Sequence, residues 1–135
     1  MTNIFQNVDI MTRALDASWK RNEVITNNIA NVNTPNFKRS RVEFETILRD
    51  YLDNSSLPGQ RTKERHIAIG VENLDKLNYR VTTSKNFKTR RDGNNVDIDV
   101  EMGELAKNTI VYNSIATKLN SDLKRLKIAI TGGRG

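Results

Sequence analysis

Apolar residues recur at alternating steps of three and four over two long stretches, one near each end of the chain. This spacing keeps side chains on one face of an α-helix, and a sustained 3.5-residue repeat is typical of helices that wind around partners. The pattern predicts two long terminal helices, each with an apolar stripe. The first stripe comprises Ile4, Val8, Met11, Leu15, Ser18, Asn22, Ile25, Ile29 and Val32; the second comprises Ile98, Met102, Leu105, Thr109, Tyr112, Ala116, Leu119, Leu123, Leu126 and Ile130.

The predicted N-terminal helix occupies residues 1–34. Thr2 or Asn3 can cap its first backbone amides. We expect it to run to about Asn33, because Pro35 pushes the residue before it out of the helical region.

The predicted C-terminal helix occupies residues 97–135 and runs to about Ile130. Asp97 or Asp99 caps it, and Glu101 adds negative charge near the positive end of the helix dipole.

The middle segment, residues 35–96, has weaker patterns. A turn at Pro35 is followed by an amphipathic stretch at 37–52, which predicts a second, shorter helix. Alternating apolar residues at 67–71 and 79–83 predict two short strands that can form a β-hairpin.

The composition favours burial against neighbouring subunits over a self-sufficient core. Only 36% of the 135 residues are hydrophobic and 6% are aromatic, and the stripes hold much of that apolar content. No run approaches the roughly 18 apolar residues of a membrane span. The first residues lack the basic and apolar regions of a cleavable secretory signal, so we expect another route if the protein works outside the cytoplasm.

Few residues suit catalysis. The chain has no cysteine and one histidine, His66, which excludes Cys–His nucleophiles and multi-histidine or thiolate metal sites. Residues 92–99 resemble a calcium loop in composition only, because the glycine stands second instead of sixth. We expect no enzyme activity, no cofactor, no metal, no small-molecule substrate and no nucleic-acid partner.

The positive charge is concentrated in the middle segment. Residues 61–91 hold nine basic and three acidic residues, which accounts for the whole net charge of +6. A solvated linker is the favoured interpretation. Contact of Arg90 and Arg91 with an anionic surface is a second hypothesis.

Polar residues interrupt the first stripe, and asparagines crowd its end. Ser18 and Asn22 lie on the stripe, where a polar residue costs stability but fixes register. For Asn27 and Asn28 we favour hydrogen bonds between chains. For the remaining asparagines of the cluster, Asn31, Asn33 and Asn36, we favour a role in the helix end and turn.

These residues carry a resemblance. Residues 27–38, NNIANVNTPNFK, are similar to the N-terminal signature of bacterial flagellar rod and hook proteins. The short length, residues 91–102 (RDGNNVDIDVEM) and the ending LKIAITGGR resemble a short, proximal rod member of that family.

The resemblance implies a mainly α fold whose long terminal helices pair as an antiparallel coiled coil, with a partly irregular middle segment. It implies a structural subunit of the proximal rod, the axle that crosses the periplasm and transmits torque. The implied partners are copies of itself, the adaptor FliE, the rod protein FlgC, and the membrane ring and export gate. The implied export route is the flagellar type III apparatus.

Three groups of residues are candidates for assembly. The turn group follows the family motif: Asn27, Asn28, Asn31, Thr34, Pro35 and Phe37. Trp19, beside the first stripe, is a candidate lateral contact, with packing inside its own subunit as the equal alternative. The predicted seam between helices comprises Leu15, Ile25, Ile29, Leu105, Tyr112, Leu119, Leu123 and Leu126.

Two alternatives stay open. One is another short rod protein of the same family, similar to FlgC, although the C-terminal residues argue against it. The other is a basic, nucleic-acid-binding coiled-coil protein, for which no recognised motif is visible and which tight, salt-sensitive DNA binding would support.

Overall fold

The computed structural model describes residues 4–55, 77–84 and 91–132. In these ranges the fold is mainly helical, as predicted. The elements in chain order are α1 (Ile4–Ala30), β1 (Ser40–Glu43), α2 (Glu45–Ser55), β2 (Arg80–Thr83) and α3 (Ile98–Ile130). None of the described helices is both long enough and apolar enough to cross a membrane.

The two terminal helices pack against each other in opposite directions. The Asn108 side-chain amide donates to the Ser18 carbonyl at 2.8 Å. Ten residues further along α1, the Asn28 amide donates to the Glu101 carboxylate at 3.0 Å. Higher residue numbers on α1 thus lie opposite lower residue numbers on α3, which confirms the predicted antiparallel pairing.

α1 ends at Ala30, about three residues earlier than predicted. The Asn31 N–H is shared between the carbonyls of Asn27 and Asn28 at 3.2 Å each, and the Val32 N–H bonds three residues back to Ile29. The last turn therefore tightens before Pro35 is reached, as helix ends often do.

α3 follows its prediction at both ends. The Asp97 side chain accepts from the N–H groups of Asp99 and Val100, which makes it the N-cap. The Thr131 N–H bonds to the Lys127 carbonyl at 2.9 Å, and Gly132 follows with φ +62°. A glycine adopts this left-handed conformation at little cost, so the helix stops there.

The sheet is antiparallel and two-stranded, and β1 and β2 align Val42 with Val81. The predicted strand at 79–83 is confirmed as β2. Its observed partner lies within 37–52, where we predicted helix, and that helix begins only at Glu45. Val42 and Phe44 are buried and Arg41 is exposed, which is the two-residue period of a strand. The other predicted strand, 67–71, and most of the basic segment lie outside the described residues.

A small apolar core covers one flank of α1. Ala17 on α1 packs with Phe44, Tyr51 and Leu77, all of which are buried. Partly buried residues complete the cluster: Ile10, Ala14, Ile47 and Leu48. α2 and Leu77, three residues before β2, are thereby fixed to one side of α1.

Candidate assembly site

Two motifs that lie far apart in the sequence meet at one end of the helix pair. Asn94 is fully buried beside the turn that follows α1. Its side-chain amide donates to the carbonyls of Asn31, Val32 and Thr34 at 3.0, 3.1 and 2.9 Å. Its side-chain oxygen accepts from the Val96 N–H at 2.7 Å. The segment that leads into α3 thus satisfies carbonyls of the turn that follows α1.

Two further hydrogen bonds join the same two segments. The Asn36 N–H donates to the Asp92 carbonyl at 2.9 Å, and the Lys38 ammonium donates to the Gly93 carbonyl. Gly93 has φ +78°, and a side chain at this position would meet Asn36 at 2.6 Å. We call the contact between residues 92–95 and residues 31–38 the clasp.

A buried carboxylate continues the polar contacts along the helix pair. Glu101 is fully buried; it accepts from Asn28 and forms an ion pair with Arg39. Asn28 also donates to the Ser40 carbonyl at 2.7 Å and accepts from the Ser40 N–H at 3.0 Å. A buried charge is tolerated when it is paired and hydrogen-bonded in this way. This network ties α1, β1 and α3 together.

The asparagines of the motif make different hydrogen bonds. Both ends of the Asn28 amide are bonded within the chain, contrary to the expected hydrogen bonds between chains. Asn27 is exposed, and its carbonyl accepts from the Asn31 amide at 2.8 Å. The Asn31 side-chain oxygen faces the Thr34 hydroxyl at 3.2 Å. Asn31 therefore serves the helix end, as favoured.

The other residues of the turn are less buried. Asn36 has φ +61°, a left-handed conformation that asparagine tolerates in turns. Pro35 is exposed beside it, and Phe37 is half-buried. The assembly role that we expect for this turn stays a prediction.

The eight seam residues divide into three groups by exposure. Ile25 is already buried inside the chain. Tyr112 and Leu123 are 38% and 47% exposed. The rest are half-buried: Leu15, Ile29, Leu105, Leu119 and Leu126. The pairing of α1 with α3 thus covers the seam only in part.

The uncovered part of the seam lies on the flank opposite α2 and the sheet. Successive helix residues are about 100° apart, so Trp19 faces away from Ala17, which packs on α2. On α3, Glu104 and Val111 line a cavity with β1. Leu105 and Tyr112 each follow one of these residues in the sequence, so their side chains are rotated about 100° around the helix from that cavity. We call this surface the open flank; its residues are Leu15, Trp19, Leu105, Tyr112 and Leu123.

Trp19 has the exposure expected of a contact residue. It is 63% exposed, so its own subunit covers only part of it, and its role as a lateral contact stays a prediction. A large aromatic side chain left in water is a common anchor of protein interfaces.

The sequence did not reveal three of the groups that build this site. Asn94, which no sequence pattern singled out, is the centre of the clasp, and Glu101, assigned to the helix dipole, is a buried ion-pair partner. Asn108 is buried on α3 against Ser18. A polar residue seven positions after Glu101, on the same helix face, was the available signal.

Comparison with known proteins defines the class. Residues 9–38 match the family model described as flagella basal body rod protein. The chain is similar to the flagellar basal body rod protein FlgB of Bacillus subtilis, with 37% identity over 92% of each chain. It is 38% identical to FlgB of Borrelia hermsii over 95% of this chain and 98% of the relative. FlgB of Aquifex aeolicus is 30% identical over 96% of this chain and 97% of the relative.

The matching segment includes the whole of α1 from Asp9 and the turn that the clasp holds. The class that these features define is the structural rod subunit of the flagellar basal body. Within that class, the chain belongs to the FlgB family.

Proposed function

We propose that the chain enters the rod by burying the open flank of its helix pair against neighbouring copies, and that it acts there without chemistry. The observation that carries this proposal is the partial cover of the seam. Among the described residues, Tyr112 and Trp19 stay exposed on a flank that neither α2 nor the sheet covers. Burial of apolar surface is the main favourable term in association.

The folded end and the open flank have different parts in this proposal. The clasp and the Glu101 network hold α1 and α3 in register before docking. The open flank then meets a surface that is already in place, which lowers the ordering cost of binding. Contacts between unlike surfaces, repeated from copy to copy, build a helical assembly and not a closed dimer.

We extend the proposal to the rest of the flagellar setting. The chain occupies the proximal rod, where it contributes to the axle that transmits torque across the periplasm. Its partners there are FliE, FlgC and the membrane ring, after export through the flagellar type III gate. This part is supported by similarity to FlgB proteins over nearly the whole chain.

A pair of aspartate variants tests the open flank. Tyr112→Asp places a carboxylate on it, and we expect a folded monomer that is lost from purified basal bodies, because a charge entering a dry interface is costly. Ile29→Asp, nearer the clasp, should also abolish incorporation. Thr117→Asp is the matched control, since Thr117 is an exposed polar residue on the far side of α3.

The expected result is non-motile cells for Tyr112→Asp and normal swimming for Thr117→Asp, with equal helical content of both purified proteins. Normal rod assembly by the Tyr112→Asp variant would refute the open flank as the assembly surface.

A further inference from the structure

The side of α3 that packs inside the chain is a polar one. Two of the 33 residues of α3 are fully buried, and they are Glu101 and Asn108. They stand seven positions apart, so they share one side of the helix. We call this side the inner face of α3. Its fully buried groups are a carboxylate and a side-chain amide, which are costly to remove from water.

The apolar stripe of α3 lies on a different side. Met102 follows Glu101 by one position and Tyr112 follows Asn108 by four, which places the stripe roughly 70° around the helix from the inner face. Burial of apolar surface by itself would turn the stripe toward α1. Instead, stripe residues are left between 38% and 77% exposed: Ile98, Met102, Tyr112, Leu123 and Ile130.

Hydrogen bonds account for the orientation that α3 adopts. The Asn108 amide donates to the Ser18 carbonyl at 2.8 Å. The Glu101 carboxylate accepts from Asn28 at 3.0 Å and forms an ion pair with Arg39. Turning the stripe toward α1 would separate both side chains from these partners and leave the buried Asn28 amide one bond short.

Asn108 makes its contact at a cost in stability. Its side-chain oxygen is buried and has no hydrogen-bond partner in the described part of the chain. The Ser18 carbonyl lies inside α1, where the helix supplies a donor four residues further on. An apolar side chain at position 108 would therefore leave no group unpaired. Asn108 also lines a cavity of about 460 Å³, which leaves room for a larger side chain.

We propose that Glu101 and Asn108 are positioning residues. They keep the inner face of α3 against α1 and thereby hold the apolar stripe outward, where neighbouring copies bury it. This inference rests on the proposed function, because the stripe supplies the α3 part of the open flank. Apolar burial inside one chain is reduced, and the same apolar surface becomes available between chains.

Cysteine labelling measures the orientation of α3, because the chain has no cysteine of its own. Thr109 is exposed on the stripe, and Glu104 is half-buried on the other side of the inner face. Turning the stripe toward α1 would bury position 109 and expose position 104. Full-length Thr109→Cys and Glu104→Cys chains are treated with a maleimide as dilute monomers. The labelling ratio is the rate at position 109 divided by the rate at position 104.

Two variants release α3 from its polar contacts. Asn108→Leu removes the amide and keeps the Glu101 network. The second variant adds Glu101→Leu and Arg39→Met, so that no charge stays buried without a partner. We expect the labelling ratio to fall about fivefold in the first variant, the equivalent of one hydrogen bond, and about tenfold or more in the second. The matched control is Ile115→Leu, seven positions after Asn108, and it should leave the ratio unchanged.

The two labelling sites distinguish rotation from unfolding. Rotation slows labelling at position 109 and speeds it at position 104, whereas unfolding speeds both. We also expect Asn108→Leu to keep the helical content and to melt no earlier than the unaltered chain, because it removes the unpaired oxygen. Unchanged rates at both positions, or faster labelling at both, would overturn the inference.

A second readout separates this inference from the proposed function. In flagellated cells, the Asn108→Leu chain should be depleted from purified basal bodies, because its stripe is turned inward. Unchanged labelling refutes the positioning role alone and leaves the Tyr112→Asp experiment to decide the proposed function. A changed labelling ratio with normal incorporation would mean that the open flank is not the assembly surface, which refutes the proposed function and the assembly role of the positioning residues with it.

Discussion

Replacing Asn94 by alanine should open the clasp. The asparagine side chain is fully buried and donates to three carbonyls at 2.9 to 3.1 Å. A hydrogen bond is worth about 1 kcal/mol net, and a buried polar group left without a partner costs about 1 to 3 kcal/mol. We therefore expect Asn94→Ala to lower the free energy of unfolding by about 3 kcal/mol, or the melting temperature by about 10 °C.

The assay is thermal and urea unfolding of the purified full chain, followed by helical circular dichroism. Asn94→Asp is a sharper variant, because it keeps the acceptor for Val96 but turns an oxygen toward the three carbonyls. We expect it to be at least as destabilising as alanine. Asn113→Ala is the matched control on an exposed face of α3, where the change should stay within about 0.5 kcal/mol.

A loss below about 1 kcal/mol for Asn94→Ala would contradict this reasoning, since it would mean that water replaces the amide at no cost. Equal effects of Asn94→Ala and Asn113→Ala would do the same.

Three further predictions concern the same end of the molecule. Gly93→Ala should destabilise the chain by about 1 to 2 kcal/mol, because φ is +78° and the new methyl would meet Asn36; Gly103→Ala, on open helix surface, should stabilise it by up to about 1 kcal/mol in the same urea titration. Glu101→Gln should cost about 2 kcal/mol in that titration, because Arg39 loses its buried partner. Burial raises the pKa of Glu45, but its hydrogen bonds to its own backbone N–H and to Arg21 outweigh this, so the pKa lies below 4.5. The ionised Glu45 side chain therefore stabilises the fold above its usual pKa of 4.5, and this stabilisation is lost as the pH falls through the lower folded pKa. Because the side chain is well exposed, the loss should be about a few tenths of a kcal/mol, and it should be absent in Glu45→Gln.

The sequence by itself determined the helices and the family. The 3.5-residue repeat defined two long terminal helices, because periodicity is a local property of the chain. Asp97 as the cap of α3 and the turn at Pro35 follow from local backbone chemistry in the same way. The motif at residues 27–38 identified the rod proteins before any contact was known.

Only the tertiary structure decided which polar residues meet. Asn94 and Glu101 look like ordinary residues of a turn and a first helical turn, and their burial depends on partners 60 or more positions away. β1 was missed for the same reason. Its four residues form a strand because β2 pairs with them and α1 covers Val42, and the local pattern of residues predicts neither contact. The stripes likewise predicted the same burial for all eight seam residues, whereas the packing of α1 on α3 buries Ile25 and leaves Tyr112 and Leu123 exposed. Which flank of a helix stays open depends on what the rest of the chain places beside it.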